Sequence, residues 1–130
     1  MKKLRILRVA SNNLESIKEA ENLTGLTWLN VAKSGLTSLE GIENLTKLEI
    51  LSVDTNELDS MEEVANLTEL KSFSITNNYL TNENLPVLLN LVNLESLSIG
   101  NNCITDFTVT RELRERGVEV NVGYEQNNCR

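Results

Sequence analysis

The chain has 130 residues, a length that fits a single domain spanning 1–130. It carries 19 acidic and 12 basic residues, a formal charge of −7, so we expect neither a nucleic acid nor an anionic membrane as a partner. Such partners are bound by clustered Lys and Arg, which displace counterions.

The opening residues, MKKLRILRVASNNLE, lack the apolar core of a secretory signal because Arg5 and Arg8 interrupt it. No apolar stretch approaches the length needed to span a membrane. We therefore expect a cytoplasmic protein, or a secreted or surface-exposed one if the chain was cut from a longer chain.

From Leu4 onward, apolar residues recur with a period of 22 residues, each unit beginning with a variant of LxxLxVxxN. Apolar residues two apart predict a strand with one buried face. Apolar residues three apart in the second half of each unit predict a short 3₁₀ or helical return. A single unit cannot bury its own apolar side, so the units must stack. The predicted units are 4–25, 26–47, 48–69, 70–93 and 94–116, followed by a capping strand and tail at 117–130.

An asparagine follows the strand in four of the five units, where the chain must turn inward. Its side-chain amide can both donate to and accept from backbone groups at such a turn. We predict that these side chains stack into a structural ladder, which Ser34 interrupts in the second unit. The ladder residues are Asn12, Asn56, Asn78 and Asn102.

The fourth unit is two residues longer, and its second half, LTNENLPVLLNL, predicts a more helical return. Asn84 could cap that helix, and Pro86 fits its first turn. The segment 107–117, FTVTRELRERG, predicts an amphipathic helix that ends at Gly117. The following VEVNV predicts an edge strand, and together these elements form a C-terminal cap.

No comparable cap is predicted at the first unit, so its apolar edge should be open to weak self-association. Cys103 and Cys129 are the two cysteines of the chain and fall on neighbouring coils. A disulfide between them is conceivable, but without a secretory signal we expect two reduced thiols.

The sequence contains no histidine and no glycine-rich phosphate-binding motif. The missing histidine removes the common nucleophile–base systems and the commonest metal ligand. We therefore expect no enzymatic activity, no catalytic residues, no metal site and no cofactor.

The exposed face of the predicted sheet is the candidate binding surface. Three large apolar residues, including the only tryptophan, should lie side by side on it: Ile6, Trp28 and Ile50. Exposed apolar neighbours of this size are typical of binding hot spots. We expect a polar rim around them formed by Arg8, Asn30, Lys33, Ser52 and Asp54. The rest of the face, rich in Ser, Thr and Asn, should be flatter.

The repeated LxxLxVxxN layout at a period of 22 residues resembles the short subclass of the leucine-rich repeat family. A regulatory subunit of protein phosphatase 1 and the bacterial internalins share that subclass, whereas the fourth unit resembles the longer ribonuclease-inhibitor-like kind. The resemblance implies an α/β solenoid, a right-handed coil with a parallel concave β-sheet and a short 3₁₀ or helical convex side.

The same resemblance implies a non-enzymatic module that binds another protein on its concave face. The identity of that protein stays open, because a phosphatase and a host receptor are both conceivable. The alternative is a structural or assembly protein that associates through the open ends of its solenoid.

Overall fold

The fold is taken from a computed structural model, which describes residues 4–9, 11, 14, 16–123, 128 and 129. Six short parallel strands form one sheet, and their order in the sheet is their order in the chain. The strands are β1 (Ile6–Arg8), β2 (Trp28–Asn30), β3 (Ile50–Ser52), β4 (Ser72–Ser74), β5 (Ser96–Ser98) and β6 (Glu119–Asn121). The predicted parallel sheet is confirmed.

Each strand up to β5 is followed by a return segment on the other side of the core. Four of these returns contain a 3₁₀ helix, and the last contains an α-helix, α1. The 3₁₀ helices are Lys18–Ala20, Ile42–Asn44, Glu62–Asn66 and Asn82–Asn90, and α1 is Thr108–Glu115. The short 3₁₀ or helical convex side is therefore confirmed. No helix among the described residues is long and apolar enough to cross a membrane.

The central residue of each strand points into the core, which lies between the sheet and the returns. Leu29, Leu51, Phe73 and Leu97 pair in register across β2 to β5 and are almost completely buried. Apolar residues of the returns complete one continuous cluster with them. Because side chains alternate along a strand, the flanking residues of each strand project to the opposite face. We call that face the concave face.

Buried asparagines at the ends of the strands link consecutive repeats. Asn78 is fully buried, and its Nδ2 donates to the carbonyl of Val53 in the preceding repeat at 3.1 Å. Its Oδ1 accepts from the N–H of Leu58 at 3.0 Å. Asn56 and Asn102 make equivalent bonds to the repeats that precede them. These bonds satisfy backbone groups that would otherwise be buried without partners.

The ladder position of the second repeat differs from these three. The hydroxyl of Ser34 donates to the carbonyl of Ala32 at 3.2 Å, within its own repeat. It lies 3.5 Å from the carbonyl of Val9 in the preceding repeat, so the link there is weaker. Asn12, the first predicted ladder residue, lies outside the described residues.

The fourth return is helical as predicted, but its start was misplaced. It is a nine-residue 3₁₀ helix that begins at Asn82, directly after Thr81. The Oδ1 of Asn84 accepts from the N–H of Thr81 at 2.8 Å, so Asn84 supports the helix start from its third residue. Pro86 consequently lies beyond the first turn. The local pattern missed this because Thr81 and Asn84 are both acceptable caps.

The predicted C-terminal elements are present. α1 ends before Gly117, whose φ of 98° is the left-handed conformation that glycine adopts at this position. β6 then pairs with β5. Side chains at the end of α1 join these parts, since Arg114 donates to the carbonyl of Val120 at 3.0 Å and Arg116 donates to that of Leu89 at 2.9 Å.

The expectation of two reduced thiols is wrong, because Cys103 and Cys129 form a disulfide with their Cα atoms 4.8 Å apart. Cys103 directly follows the ladder residue Asn102, and the tail returns to the same place. There the N–H of Asn128 donates to the carbonyl of Asn102 at 3.1 Å, and its Nδ2 donates to that of Asn78 at 3.0 Å. The predicted placement of the two cysteines on neighbouring coils was correct, and the error came from using the missing secretory signal to infer reduced thiols.

Candidate binding face of the sheet

Three large apolar side chains lie next to one another on the concave face. Ile6 pairs in register with Trp28, and Trp28 pairs with Ile50, so the three occupy adjacent strands. Ile6 is 47% exposed and Ile50 is 37% exposed, while Trp28 is half-buried between them. We call this group the apolar stripe. The repeat places it here because the first residue of each strand points away from the core.

Arg8 covers part of the stripe from the edge strand. Its guanidinium carbon lies 4.1 Å from the centre of the Trp28 ring, which is the geometry of a cation–π contact. The contact places a positive charge beside the stripe and against one face of the indole.

The remaining rim residues surround the ends of β2 and β3. The Oδ1 of Asn30 accepts from the N–H of Ala32 at 3.1 Å, and the hydroxyl of Ser52 donates to Asp54 at 3.3 Å. Lys33 is exposed, and its backbone N–H donates to the carbonyl of Asp54 at 2.9 Å. All the residues expected at the rim thus lie within β1 to β3 or up to three residues after one of these strands.

The carboxylate of Asp54 is held in place by several hydrogen bonds. The hydroxyl of Ser74 lies 2.7 and 2.8 Å from its two carboxylate oxygens, and the N–H of Thr76 donates to Oδ1 at 2.7 Å. The ion pairs found among the described residues join Lys18 to Glu40, Lys71 to Glu49 and Arg116 to Glu112. Within that part of the chain, the Asp54 carboxylate therefore forms no ion pair.

Asp54 also lies at one side of a shallow groove of about 670 Å³ that crosses the strand ends. We call it the polar groove, and its lining residues are Asp54, Ser74, Thr76, Asn77, Ser98, Gly100, Asn101, Asn121 and Gly123. A flatter surface was expected here from the sequence, and the groove was missed. The available signal was the run of small residues in the last repeats, with glycine at 100 and 123.

A row of left-handed residues borders the groove and the rim. Five non-glycine residues, each shortly after a strand end, have φ between 52° and 65°: Ser11, Lys33, Thr55, Asn77 and Asn101. Asparagine tolerates this conformation, whereas a β-branched residue rarely adopts it. The row shows that all five repeats make the same sharp turn beside the concave face.

The first-repeat end of the solenoid has an apolar surface of its own. Leu7, Val9, Leu14 and Leu23 are half-buried there, and they contribute to a groove of about 210 Å³. The nearby Leu4 is 40% exposed. This end therefore presents the apolar edge that the sequence predicted.

No group of three or more potential metal-ligating side chains occurs in the part of the chain that the structure describes. The exposed chemistry of the concave face consists of apolar, hydroxyl, amide and isolated charged groups.

Several solved structures are similar to this chain, whereas neither a protein-family model nor a curated protein sequence matches it. An internalin (InlF) from Listeria monocytogenes superposes with a TM-score of 0.88 at 29% identity, over 97% of this chain and 36% of that one. Internalin C2 from the same species has a TM-score of 0.82 at 22% identity, over 98% of this chain and 59% of that one.

A leucine-rich repeat protein from Leptospira interrogans superposes with a TM-score of 0.69 at 23% identity, over 92% of this chain. This chain covers 37% of that protein and thus spans less than two thirds of each of the three. Their shared fold is a stack of leucine-rich repeats.

Proposed function

The chain belongs to the leucine-rich repeat family and has internalin-like repeats, and from this premise we propose that it binds another protein on its concave face. In this proposal it is a non-enzymatic interaction module. The binding site consists of the apolar stripe and its rim, Arg8, Asn30, Lys33, Ser52 and Asp54.

The observation that supports this proposal most strongly is the exposure of the apolar stripe. Ile6 and Ile50 expose 47% and 37% of their surface on either side of the only tryptophan. Covering such a surface is favourable because apolar area leaves water. Tryptophan is also enriched among residues whose truncation costs about 2 kcal/mol or more of binding free energy.

The function is tested by capturing proteins from an extract of the source cells with immobilised protein. The test variant replaces the stripe residues, Ile6→Ser, Trp28→Ser and Ile50→Ser together, and circular dichroism verifies its folding. The matched control is Val92→Ser, because Val92 is 72% exposed and is not part of the stripe. We expect a protein that is retained by wild type and by the control but lost by the folded stripe variant. Equal capture by all three would place binding elsewhere.

A second candidate function is assembly through the first-repeat end, which the apolar groove at Leu7, Val9, Leu14 and Leu23 favours. A second copy of the chain could cover that groove. Sedimentation velocity would then show a mass that rises with concentration and falls back in a Leu14→Glu variant. A concentration-independent monomer would exclude this function.

A further inference from the structure

We infer that the polar groove binds a basic side chain of the partner protein. The partner would place apolar side chains against the stripe and an arginine or lysine beside Asp54. This inference rests on the proposed function, since both surfaces lie on the same face of the sheet. The inference thus assigns Asp54 to the polar groove as its cation-binding residue, rather than to the rim of the stripe.

The geometry of the Asp54 carboxylate is the first feature that supports a bound cation. Ser74 and Thr76 donate to it at 2.7 to 2.8 Å, and Ser52 donates at 3.3 Å. These are uncharged donors, so they fix the position of the carboxylate without neutralising it. A carboxylate that is already oriented loses little entropy when a cation binds to it.

The charge of the groove is the second feature. Its described lining consists of hydroxyl, amide, glycine and carboxylate groups, with no lysine or arginine among them. No described basic side chain forms an ion pair with Asp54. A partner that covered the groove with apolar groups would bury an unpaired charge, which is strongly unfavourable. A partner that supplies a cation avoids this penalty.

The shape and chemistry of the groove walls are the third feature. Gly100 and Gly123 contribute no side chains, and their backbones approach closely, since a Cβ at Gly100 would lie 3.2 Å from the carbonyl of Val122. The missing side chains therefore allow the chain after β5 and the chain after β6 to come close together, and both segments line the groove. Ser98 and Asn121 also line the groove, and the Oδ1 of Asn121, which accepts from the N–H of Gly123 at 2.9 Å, keeps a second lone pair for a further donor. A guanidinium group, which has five N–H donors in one plane, suits several acceptors at once.

The experiment is an NMR titration of ¹⁵N-labelled protein with Nα-acetyl-arginine amide. The matched control ligand is Nα-acetyl-citrulline amide, which has nearly the same shape but no charge. We expect a saturable shift of the backbone amide signals of Thr76, Asn77, Gly100 and Asn101, with a midpoint in the millimolar range. The citrulline derivative should produce less than a tenth of that shift at the same concentration.

Two variants test whether the NMR response to the arginine derivative comes from binding in the groove. Asp54→Asn removes the charge, and Ser98→Lys places a competing cation in the groove. Both should abolish the response to the arginine derivative. Glu69→Gln is the charge-matched control, because Glu69 is exposed and lies outside the groove, and it should respond like wild type.

The inference is overturned if wild type shows no saturable shift, if both ligands act equally, or if either folded groove variant responds like wild type. The NMR titration uses no partner protein, so its result is independent of the capture experiment. A Trp28→Ser variant should retain the arginine response, so failure of the stripe and failure of the groove are distinguishable.

Discussion

Single residues beside the concave face carry backbone conformations that their side chains do not favour. Thr55 has a φ of 57° although it is β-branched, whereas Asn77 and Asn101 stand at the same place in later repeats. A left-handed conformation costs an ordinary L-residue about 1 to 2 kcal/mol, and asparagine less. The repeat imposes the turn at Thr55, and the surrounding hydrogen bonds maintain it.

Replacing Thr55 with asparagine should therefore stabilise the protein. We expect the free energy of unfolding to rise by about 0.5 to 1 kcal/mol, because asparagine adopts positive φ at lower cost. Urea denaturation measures this change. Thr46→Asn is the control, since Thr46 is exposed and its φ is not positive, and it should leave the free energy of unfolding nearly unchanged. A destabilised Thr55→Asn would contradict the account.

Among the elements, the convex returns approach one another at a glycine. Gly41 has a φ of 105°, and a Cβ placed on it would lie 2.7 Å from the Cα of Lys18 in the preceding return. The exposed ion pair between Lys18 and Glu40, at 3.4 Å, spans the same contact. The close contact between the backbones at Gly41 and Lys18 therefore helps to set the distance between the first two returns.

Replacing Gly41 with alanine should destabilise the protein by about 3 kcal/mol, through its positive φ and through the clash with Lys18. Gly117→Ala provides the comparison, because Gly117 has a φ of 98° but a Cβ placed on it would meet nothing within 4 Å. It should cost only about 1 kcal/mol. Both values come from urea denaturation, and equal losses would show that the clash contributes nothing.

The start of α1 depends on an aspartate that can titrate. The Oδ1 of Asp106 accepts from the hydroxyl of Thr108 at 2.6 Å and from its N–H at 3.0 Å. The hydroxyl bond, and then the backbone bond, lower the pKa of Asp106 below its ordinary value of 3.8. The carboxylate is therefore bound more favourably in the folded chain than in the unfolded chain.

This contribution to stability should be present above pH 3.8 and lost as the pH falls through the lower pKa of the folded state. Asp106→Asn removes it. The difference in unfolding free energy between wild type and the variant should thus shrink on acidification. Thermal or urea unfolding between about pH 2 and pH 6 measures it. A difference that stays constant over this range would contradict the role of Asp106.

Across the whole molecule, the disulfide fastens the tail to the last full repeat. Cys103 and Cys129 are 26 residues apart, and the closed loop contains α1 and β6. Asn128 contacts the last two ladder residues, since its Nδ2 donates to the carbonyl of Asn78 and its N–H donates to that of Asn102.

Opening the disulfide should lower the free energy of unfolding by about 2 to 4 kcal/mol, because the unfolded chain gains the entropy of an open loop. A Cys103→Ser/Cys129→Ser variant and chemically reduced wild type should lose the same amount. Urea denaturation with and without reductant measures the loss. Oxidised and reduced proteins of equal stability would contradict the structural role of this link.

The period of the repeat explains which features could be predicted. A period of 22 residues places Ile6, Trp28 and Ile50 in register, and it determines which strand residues face the core. The repeat also placed Cys103 and Cys129 on neighbouring coils, but two thiols and a disulfide have the same spacing in the sequence, so the period did not predict their redox state. The polar groove was missed because it depends on the close approach of the chain after β5 and β6, at Gly100 and Gly123.

The central claim is that the apolar stripe binds a partner protein. Its most direct test is the dissociation constant of the captured partner for wild type, for Trp28→Ala and for the control Val92→Ala. We predict that Trp28→Ala raises the dissociation constant by about 30-fold or more, the equivalent of about 2 kcal/mol, while Val92→Ala leaves it unchanged. A folded Trp28→Ala protein that binds the partner as tightly as wild type would contradict the claim.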